Sequence, residues 1–294
     1  MDIKLFASDM DGTLLNEYHV ISDRTAHAVK QLQDLGVEFL IATGRDYKPA
    51  KILTDAQGIR CSFINSNGAD IRTPFGESVM TIPIERSSLQ EVRSYLTSQQ
   101  VDYGIMTLDG YYTTNYQGMK ERMQHFYEEK PGQRHRMYDE ITDAQIATLL
   151  NSAKDIEAFN IDQHVPLKIM IYHTHPETLE RLMKELRKDP KIAVTSSGPD
   201  NLEINHINAQ KGFAIEHYIK QKGYTMDQVV AIGDALNDRS MLQQAGVSYA
   251  MANATPEVQA LADHIAPSNK EDGVAWVIES IISQLEQEKA AKGE

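Results

Sequence analysis

The chain has 294 residues, enough for one or two domains, and its 41% hydrophobic and 24% charged content is that of an ordinary soluble globular protein. With 29 Lys and Arg against 42 Asp and Glu the formal net charge is −13, which argues against general affinity for nucleic acid or an anionic membrane. A single cysteine, Cys61, excludes an intrachain disulfide and a cysteine-rich metal cluster. No signal-peptide pattern and no bilayer-length apolar run is present, so the expectation is a cytoplasmic protein.

The first predicted element is a strand, Ile3 to Ala7, that ends in Asp9-Met10-Asp11-Gly12-Thr13. Two carboxylates at i and i+2 repel each other and cost desolvation unless a cation sits between them, so this strand end points to a Mg²⁺ site with a carboxylate nucleophile. A polar Asp-Gly turn is the plainer alternative, although a turn needs only one of the two aspartates. Ser22 caps a helix through about Leu35, with Gly36 behind it. Val37 to Ala42 is a strand apolar on both faces, ending in Thr43-Gly44-Arg45. A helix over Pro49 to Gln57 leads to a third strand, Ser62 to Ile64, ending in Asn65-Ser66-Asn67-Gly68-Ala69. Strand–helix–strand–helix–strand with short connections predicts a parallel sheet with ligands beyond its carboxyl edge.

Residues 70–83 read as a small hairpin, and from about 86 the texture changes. Helices over Ser87–Gln100, around Met119, Met123 and Phe126, over Asp143–Ser152 and over Pro176–Arg187 alternate with strands at Tyr103–Thr107, Tyr111–Thr114, Leu167–Tyr172 and Ile192–Thr195. No strand in this block ends in an acidic pair. It is expected to be an inserted α+β domain, residues 86–200, inside a discontinuous core of residues 1–85 and 201–294. The core then resumes with a short strand, Leu202-Glu203-Ile204, and a helix from Lys211-Gly212 to about Lys222. Val229 to Ile232 is a fourth apolar strand, ending in Gly233-Asp234-Ala235-Leu236-Asn237-Asp238. A helix over Arg239–Ala245, a strand at Val247–Met251, a helix from Thr255-Pro256 to about Ala262, a strand at His264–Ala266 and a helix from Val274 to about Leu285 complete the chain.

Four separated element ends thus supply Asp9 and Asp11, Thr43 with Gly44, Lys211, and Asp234 with Asn237 and Asp238. In isolation each has a bland reading: a strand exit for Thr43-Gly44, a solvated lysine for Lys211, helix caps for Asp234 and Asp238. Arg45 reads equally as an ion-pair partner, and Asn67 and Asn253 as pocket floor or turn residues. Within the insertion, His173-Thr174-His175 reads as a surface pair and Tyr111-Tyr112 as core. Arg134-His135-Arg136 reads as a solvated loop. Lys168 either faces a cleft or lies within its strand.

DxDGT, an apolar strand ending T-G-R, a helix-starting Lys-Gly and GDxxND, in this order, resemble the haloacid dehalogenase superfamily. The Asn67-Gly68-Ala69 triplet, the Leu202-Glu203-Ile204 segment and the mid-chain insertion resemble its Cof-type branch of sugar-phosphatase-like enzymes with an α+β cap. The resemblance covers essentially the whole chain. It implies a doubly wound, Rossmann-like α/β core plus cap, and a Mg²⁺-dependent phosphomonoester hydrolase of small phosphorylated metabolites, sugar phosphates foremost. Asp9 would be the nucleophile and Asp11 the acid/base, with the metal on Asp9, Asp234 and the Asp11 backbone carbonyl. Thr43, Lys211, Asn237 and the N–H groups of Met10 and Gly44 would hold the phosphoryl oxygens, and Asn237 and Asp238 would orient the metal waters or Lys211. A phosphomutase is the nearest alternative, and a non-catalytic phosphate sensor the alternative of another class. Ile207-Asn208-Ala209-Gln210 before Lys211, and the alanine in Met251-Ala252-Asn253-Ala254, depart from the usual pattern at the edge of the site. No expectation for oligomeric state follows.

Overall fold

The computed structural model describes residues 2–119, 121 and 153–292. It divides into two contact units, residues 1–79 with 211–294, and residues 80–210. The expected helix at 143–152, the positions Met123 and Phe126, and Arg134-His135-Arg136 lie outside the described residues.

The first unit is built on an eight-stranded sheet. Its strands in chain order are β1 (Leu5–Ser8), β2 (Glu38–Ala42), β3 (Ser62–Asn65), β4 (Asp70–Arg72), β5 (Ser78–Thr81), and, after the second unit, β12 (Val229–Gly233), β13 (Val247–Met251) and β14 (His264–Ala266). The spatial order is β14-β13-β12-β1-β2-β3-β4-β5, parallel from β14 to β3 and antiparallel between β3 and β4. The chain therefore winds outward from β1 through β2 to β3, then returns to β1's other side with β12 and winds the opposite way. The carboxyl ends of β1 and β12 flank the point where the strand order reverses, the position at which α/β sheets bind ligands.

Helices cover the sheet as the sequence pattern predicts. Leu5, Phe6 and Ala7 are fully buried, and Phe6 stacks on Phe39 of β2 with ring centroids 5.9 Å apart. Helix α1 (Asp23–Asp34) starts where the Ser22 hydroxyl accepts from Thr25 N at 3.1 Å. Helix α2 (Tyr47–Ala56) begins two residues before the expected Pro49, with Asp46 at its N-cap. Pro49 then falls in the first turn, where a missing N–H costs nothing. The C-terminal helix runs from Gly273 to Lys292, beyond the expected end near Leu285, because Gln, Glu, Lys and Ala are good helix formers.

The second unit holds α3 (Arg86–Ser98), β6 (Tyr103–Thr107), β7 (Tyr111–Thr113), β8 (Ala153–Asp155), β9 (Pro166–Tyr172), α4 (Pro176–Leu186), β10 (Ile192–Thr195) and β11 (Asn201–His206). Its sheet order is β10-β11-β9-β6-β7-β8, antiparallel except between β7 and β8. One face of the sheet, Tyr103, Ile105, Ile169, Ile171, Leu202 and Ile204, packs with Leu89, Val92 and Leu96 of α3 and Leu182 of α4 in one apolar cluster. Leu202-Glu203-Ile204, expected as the first core strand after the insertion, lies in this second sheet instead. β11 pairs with its chain neighbour β10 and with the more distant β9, and a three-residue apolar pattern encodes neither partner.

On the opposite side of those strands Lys168 and Glu203 form an ion pair at 2.9 Å, their side chains 1% and 3% exposed. Lys168 is thus buried within its sheet, bound to a carboxylate. Tyr111 and Tyr112 are both buried, as core residues should be. His173 and His175 sit ring to ring at 5.3 Å near the surface. Among the described residues no helix is long and apolar enough to cross a membrane.

Candidate active site

The site is assembled at the β1–β12 edge. Asp9 follows β1 directly, and its N–H donates to Ile232 O of β12 at 2.9 Å, which fixes the two strand ends side by side. The chain then turns tightly through Met10 to Leu14, closed by Leu15 N donating to Met10 O at 2.9 Å. Gly12 in this turn has φ +78°, and a Cβ there would overlap the Asp234 carboxylate. Glycine therefore meets two requirements at once, left-handed backbone and close approach. Thr13 presses its hydroxyl onto Asp234 Oδ1 at 2.7 Å, a contact that links the loops after β1 and β12.

Lys211 opens α5 (Lys211–Lys220) and is fully buried. Its ammonium donates to Asp9 Oδ1 and to Asp238 Oδ1, each at 2.5 Å. Asp238 is equally buried, and its other oxygen accepts from Asp234 N and Ala235 N at 2.9 Å. It thereby closes the Gly233–Asp238 turn and aims Lys211 together. Gly233 is needed here as well, since a Cβ would come within 2.5 Å of the Asp238 carboxyl.

Thr43 is buried at the end of β2. Its N–H donates to Ile64 O at 2.8 Å and its hydroxyl accepts from Arg45 N at 3.1 Å. Gly44 lies between these two residues. The Met10 side chain belongs to the apolar core, so any part it plays at the site is left to its backbone. Asn237 donates from Nδ2 to Asn67 Oδ1 at 3.1 Å, while its own Oδ1 is buried without a partner. Asn253 donates to Gly12 O at 2.9 Å and so braces the β1 turn.

Asp11 stands apart from the other aspartates. Its side chain is 44% exposed and is gripped by Arg45 through two hydrogen bonds, Nε to Oδ2 at 2.7 Å and Nη2 to Oδ1 at 2.6 Å. Desolvation works against the Asp11 carboxylate, but the guanidinium outweighs it and holds the carboxyl below its ordinary range. Burial pushes Asp9 well above the carboxylate range. Lys211 counters this, and the like charges of Asp238 and Asp234 reinforce it. Burial and the neighbouring Asp238 raise Asp234 to about 7, against the Thr13 hydrogen bond. Burial opposes the Lys211 ammonium, yet Asp238 and Asp9 more than offset it and its pKa is raised.

The electrostatics leave negative charge uncompensated. Oxygens of Asp9, Asp234 and Asp238 lie within 4.8 Å of one another. Three carboxylates face one ammonium, and a dication matches the remainder. An all-oxygen donor set suits a hard ion such as Mg²⁺. The sequence pattern thus finds Asp9, Asp234, Asp238 and Lys211, and the fold brings them together. It leaves side-chain contacts unseen, among them Thr13 on Asp234, foreshadowed only by the threonine of DxDGT, Asn237 on Asn67, Asn253 on the Gly12 carbonyl and the Arg45 fork on Asp11, because side-chain direction is not written in spacing.

Carboxylates and a buried lysine at the reversal point of a doubly wound sheet suit a protein that handles phosphoryl groups with a divalent cation. Residues 6–278 match the model of the haloacid dehalogenase-like hydrolase family, and the chain belongs to that family. It is 28% identical over 287 residues to phosphatase YwpJ of Bacillus subtilis, covering 95% of this chain and all of that one. It is 30% identical over 278 residues to the B. subtilis 5-amino-6-(5-phospho-D-ribitylamino)uracil phosphatase YcsE, with 95% of each chain covered. The solved structure of a haloacid dehalogenase-like hydrolase from B. subtilis superposes with a TM-score of 0.83 at 29% identity, covering 94% of this chain and 99% of that one. The protein is a phosphatase of this family.

Proposed function

We propose that the protein is a Mg²⁺-dependent phosphomonoester hydrolase that works through an aspartyl-phosphate on Asp9. Its substrates are small phosphorylated metabolites, with sugar and sugar-like phosphates foremost. The main support is the Lys211 ammonium shared between Asp9 and Asp238 beside Asp234, at the β1–β12 edge. Asp9 and Asp234, with the Asp11 backbone carbonyl, would hold the ion. Bound there, Mg²⁺ supplies Lewis-acid neutralisation of phosphoryl and carboxylate charge.

Asp9 attacks phosphorus, and the bond to the leaving alcohol breaks as Asp11 protonates that oxygen. Water then attacks the aspartyl-phosphate, Asp11 takes its proton, and phosphate leaves with Asp9 restored. Lys211, Thr43, Asn237 and the N–H groups of Met10 and Gly44 bind the equatorial oxygens as charge spreads over them. The polyhydroxylated phosphate ester in the name of the YcsE relative supports a sugar-like leaving group. We assign the chemistry to the unit of residues 1–79 and 211–294, which holds all these groups, and the choice of leaving group to residues 80–210.

In the test, hydrolysis of p-nitrophenyl phosphate should stop in EDTA and return with Mg²⁺, and Asp9→Asn should be inactive with unchanged circular dichroism. Turnover in EDTA, or in the Asp9→Asn variant, would refute the assignment.

A further inference from the structure

Arg45 has no role in the scheme above, yet it makes the most directional contact at the site. Its fork meets both Asp11 oxygens side-on at 2.7 and 2.6 Å, the geometry by which a guanidinium fixes a carboxylate in the plane. The fork itself is anchored. Arg45 N donates to Thr43 Oγ1 at 3.1 Å, and Arg45 O accepts from Ser66 N at 3.0 Å. Ser66 and Asn67 have φ of 48° and 60°, left-handed values that non-glycine residues keep only where their surroundings impose them. Asn67 is imposed upon twice, through its N–H to Thr43 O at 3.0 Å and through its side chain to Asn237 at 3.1 Å. The loop after β3 thus props the loop after β2, and that loop holds the guanidinium.

Asp11 needs such a hold. It lies in the turn just before Gly12, and its side chain is 44% exposed where Arg45's is 18%. A half-exposed carboxylate with no partner spreads over several rotamers, and small misplacements of a reacting group are costly.

We propose that Arg45 is a positioning residue for Asp11, fixing both carboxylate oxygens so that the side chain receives the proton of the attacking water from one place. The inference rests on the roles given to Asp9 and Asp11 above. In this half of the reaction the water oxygen bonds to phosphorus and its proton passes to Asp11. The bond from phosphorus to the Asp9 oxygen breaks, its electron pair returning to the Asp9 carboxylate. Each Asp11 oxygen in the fork keeps a lone pair directed away from the guanidinium, and one of these receives the proton. Arg45 has no transferable proton, so its contribution is placement. With p-nitrophenyl phosphate the first half asks nothing of Asp11, because p-nitrophenolate departs as an anion without being protonated. The loss on removing Arg45 therefore falls on the second half.

The test is stopped-flow hydrolysis of p-nitrophenyl phosphate by the full chain with saturating Mg²⁺. Arg45→Ala is expected to release close to one equivalent of p-nitrophenolate in a burst, then turn over on the order of 10²-fold more slowly than the parent, with a lowered KM. Arg45→Lys should recover part of the rate, since a point charge replaces the fork incompletely, and it preserves the test if Arg45→Ala folds poorly. Adding Arg45→Ala to Asp11→Asn should cost little more than Asp11→Asn alone. A burst that shrinks in step with turnover, or losses from the two substitutions that multiply, would overturn the proposal. A burst from Asp9→Asn would instead overturn the nucleophile assignment. An inactive Asp9→Asn alongside multiplying losses would refute the role of Arg45 alone.

Discussion

Replacing Lys211 with methionine keeps much of the side-chain volume and removes one charge. In the parent the ammonium is fully buried and sits 2.5 Å from carboxylates that are 7% and 0% exposed. Without it Asp9, Asp234 and Asp238 crowd within 4.8 Å with no cation among them. Stripping one partner from a buried ion pair costs about 3–5 kcal/mol. For a unit of this size each kcal/mol shifts Tm by about 2–4 °C, so melting in EDTA should fall by about 6–20 °C. Mg²⁺ supplies the missing charge and stabilises by mass action, so it should raise the Tm of the variant more than that of the parent. Turnover should drop by about 10²–10³-fold even with Mg²⁺, because a donor to the developing phosphoryl charge is gone. Differential scanning calorimetry with and without Mg²⁺ reads the first two effects, and steady-state kinetics the third. A variant that melts within about 2 °C of the parent in EDTA would refute the reasoning.

Gly12→Ala meets both a left-handed backbone and the Asp234 carboxylate, so kcat/KM should fall on the order of 10²-fold, and a nearly active variant would contradict the close approach. In the second unit, Lys168→Met should destabilise by about 3–5 kcal/mol in urea titration, while Lys168→Met with Glu203→Leu should recover most of that loss. A double variant as unstable as the single one would show that the carboxylate left behind is not the source of the cost.

Strand ends were the most legible part of the sequence, for a physical reason. Asp9, Thr43 and Asp234 each follow a buried apolar strand, and parallel strands joined by short crossovers place their carboxyl ends on one edge whatever the details of packing. Lys211 was legible only in company, as a helix-start lysine alone resembles any solvated one. β11 was misplaced because Leu202-Glu203-Ile204 alternates like any half-buried strand. Its assignment depends on pairing with β9 and β10, and its central Glu203 is buried against Lys168 on a neighbouring strand. Helix α2 starts two residues before Pro49, the residue that marks a helix opening in the sequence, because the chain enters the helix at Asp46, whose side chain makes no capping hydrogen bond to signal it. The Arg45 fork depends on rotamers at two loops, and spacing along the chain carries no record of them.

The central claim, that Asp9 carries the phosphoryl group, is tested most directly by trapping it. The enzyme is mixed with p-nitrophenyl phosphate and Mg²⁺, quenched in acid, reduced with borohydride and mapped by peptide mass spectrometry. Reduction of an acyl-phosphate at Asp9 to homoserine, absent when substrate is left out, is the expected result. Unmodified Asp9 during turnover, with phosphate found on a serine, threonine or histidine, would contradict it.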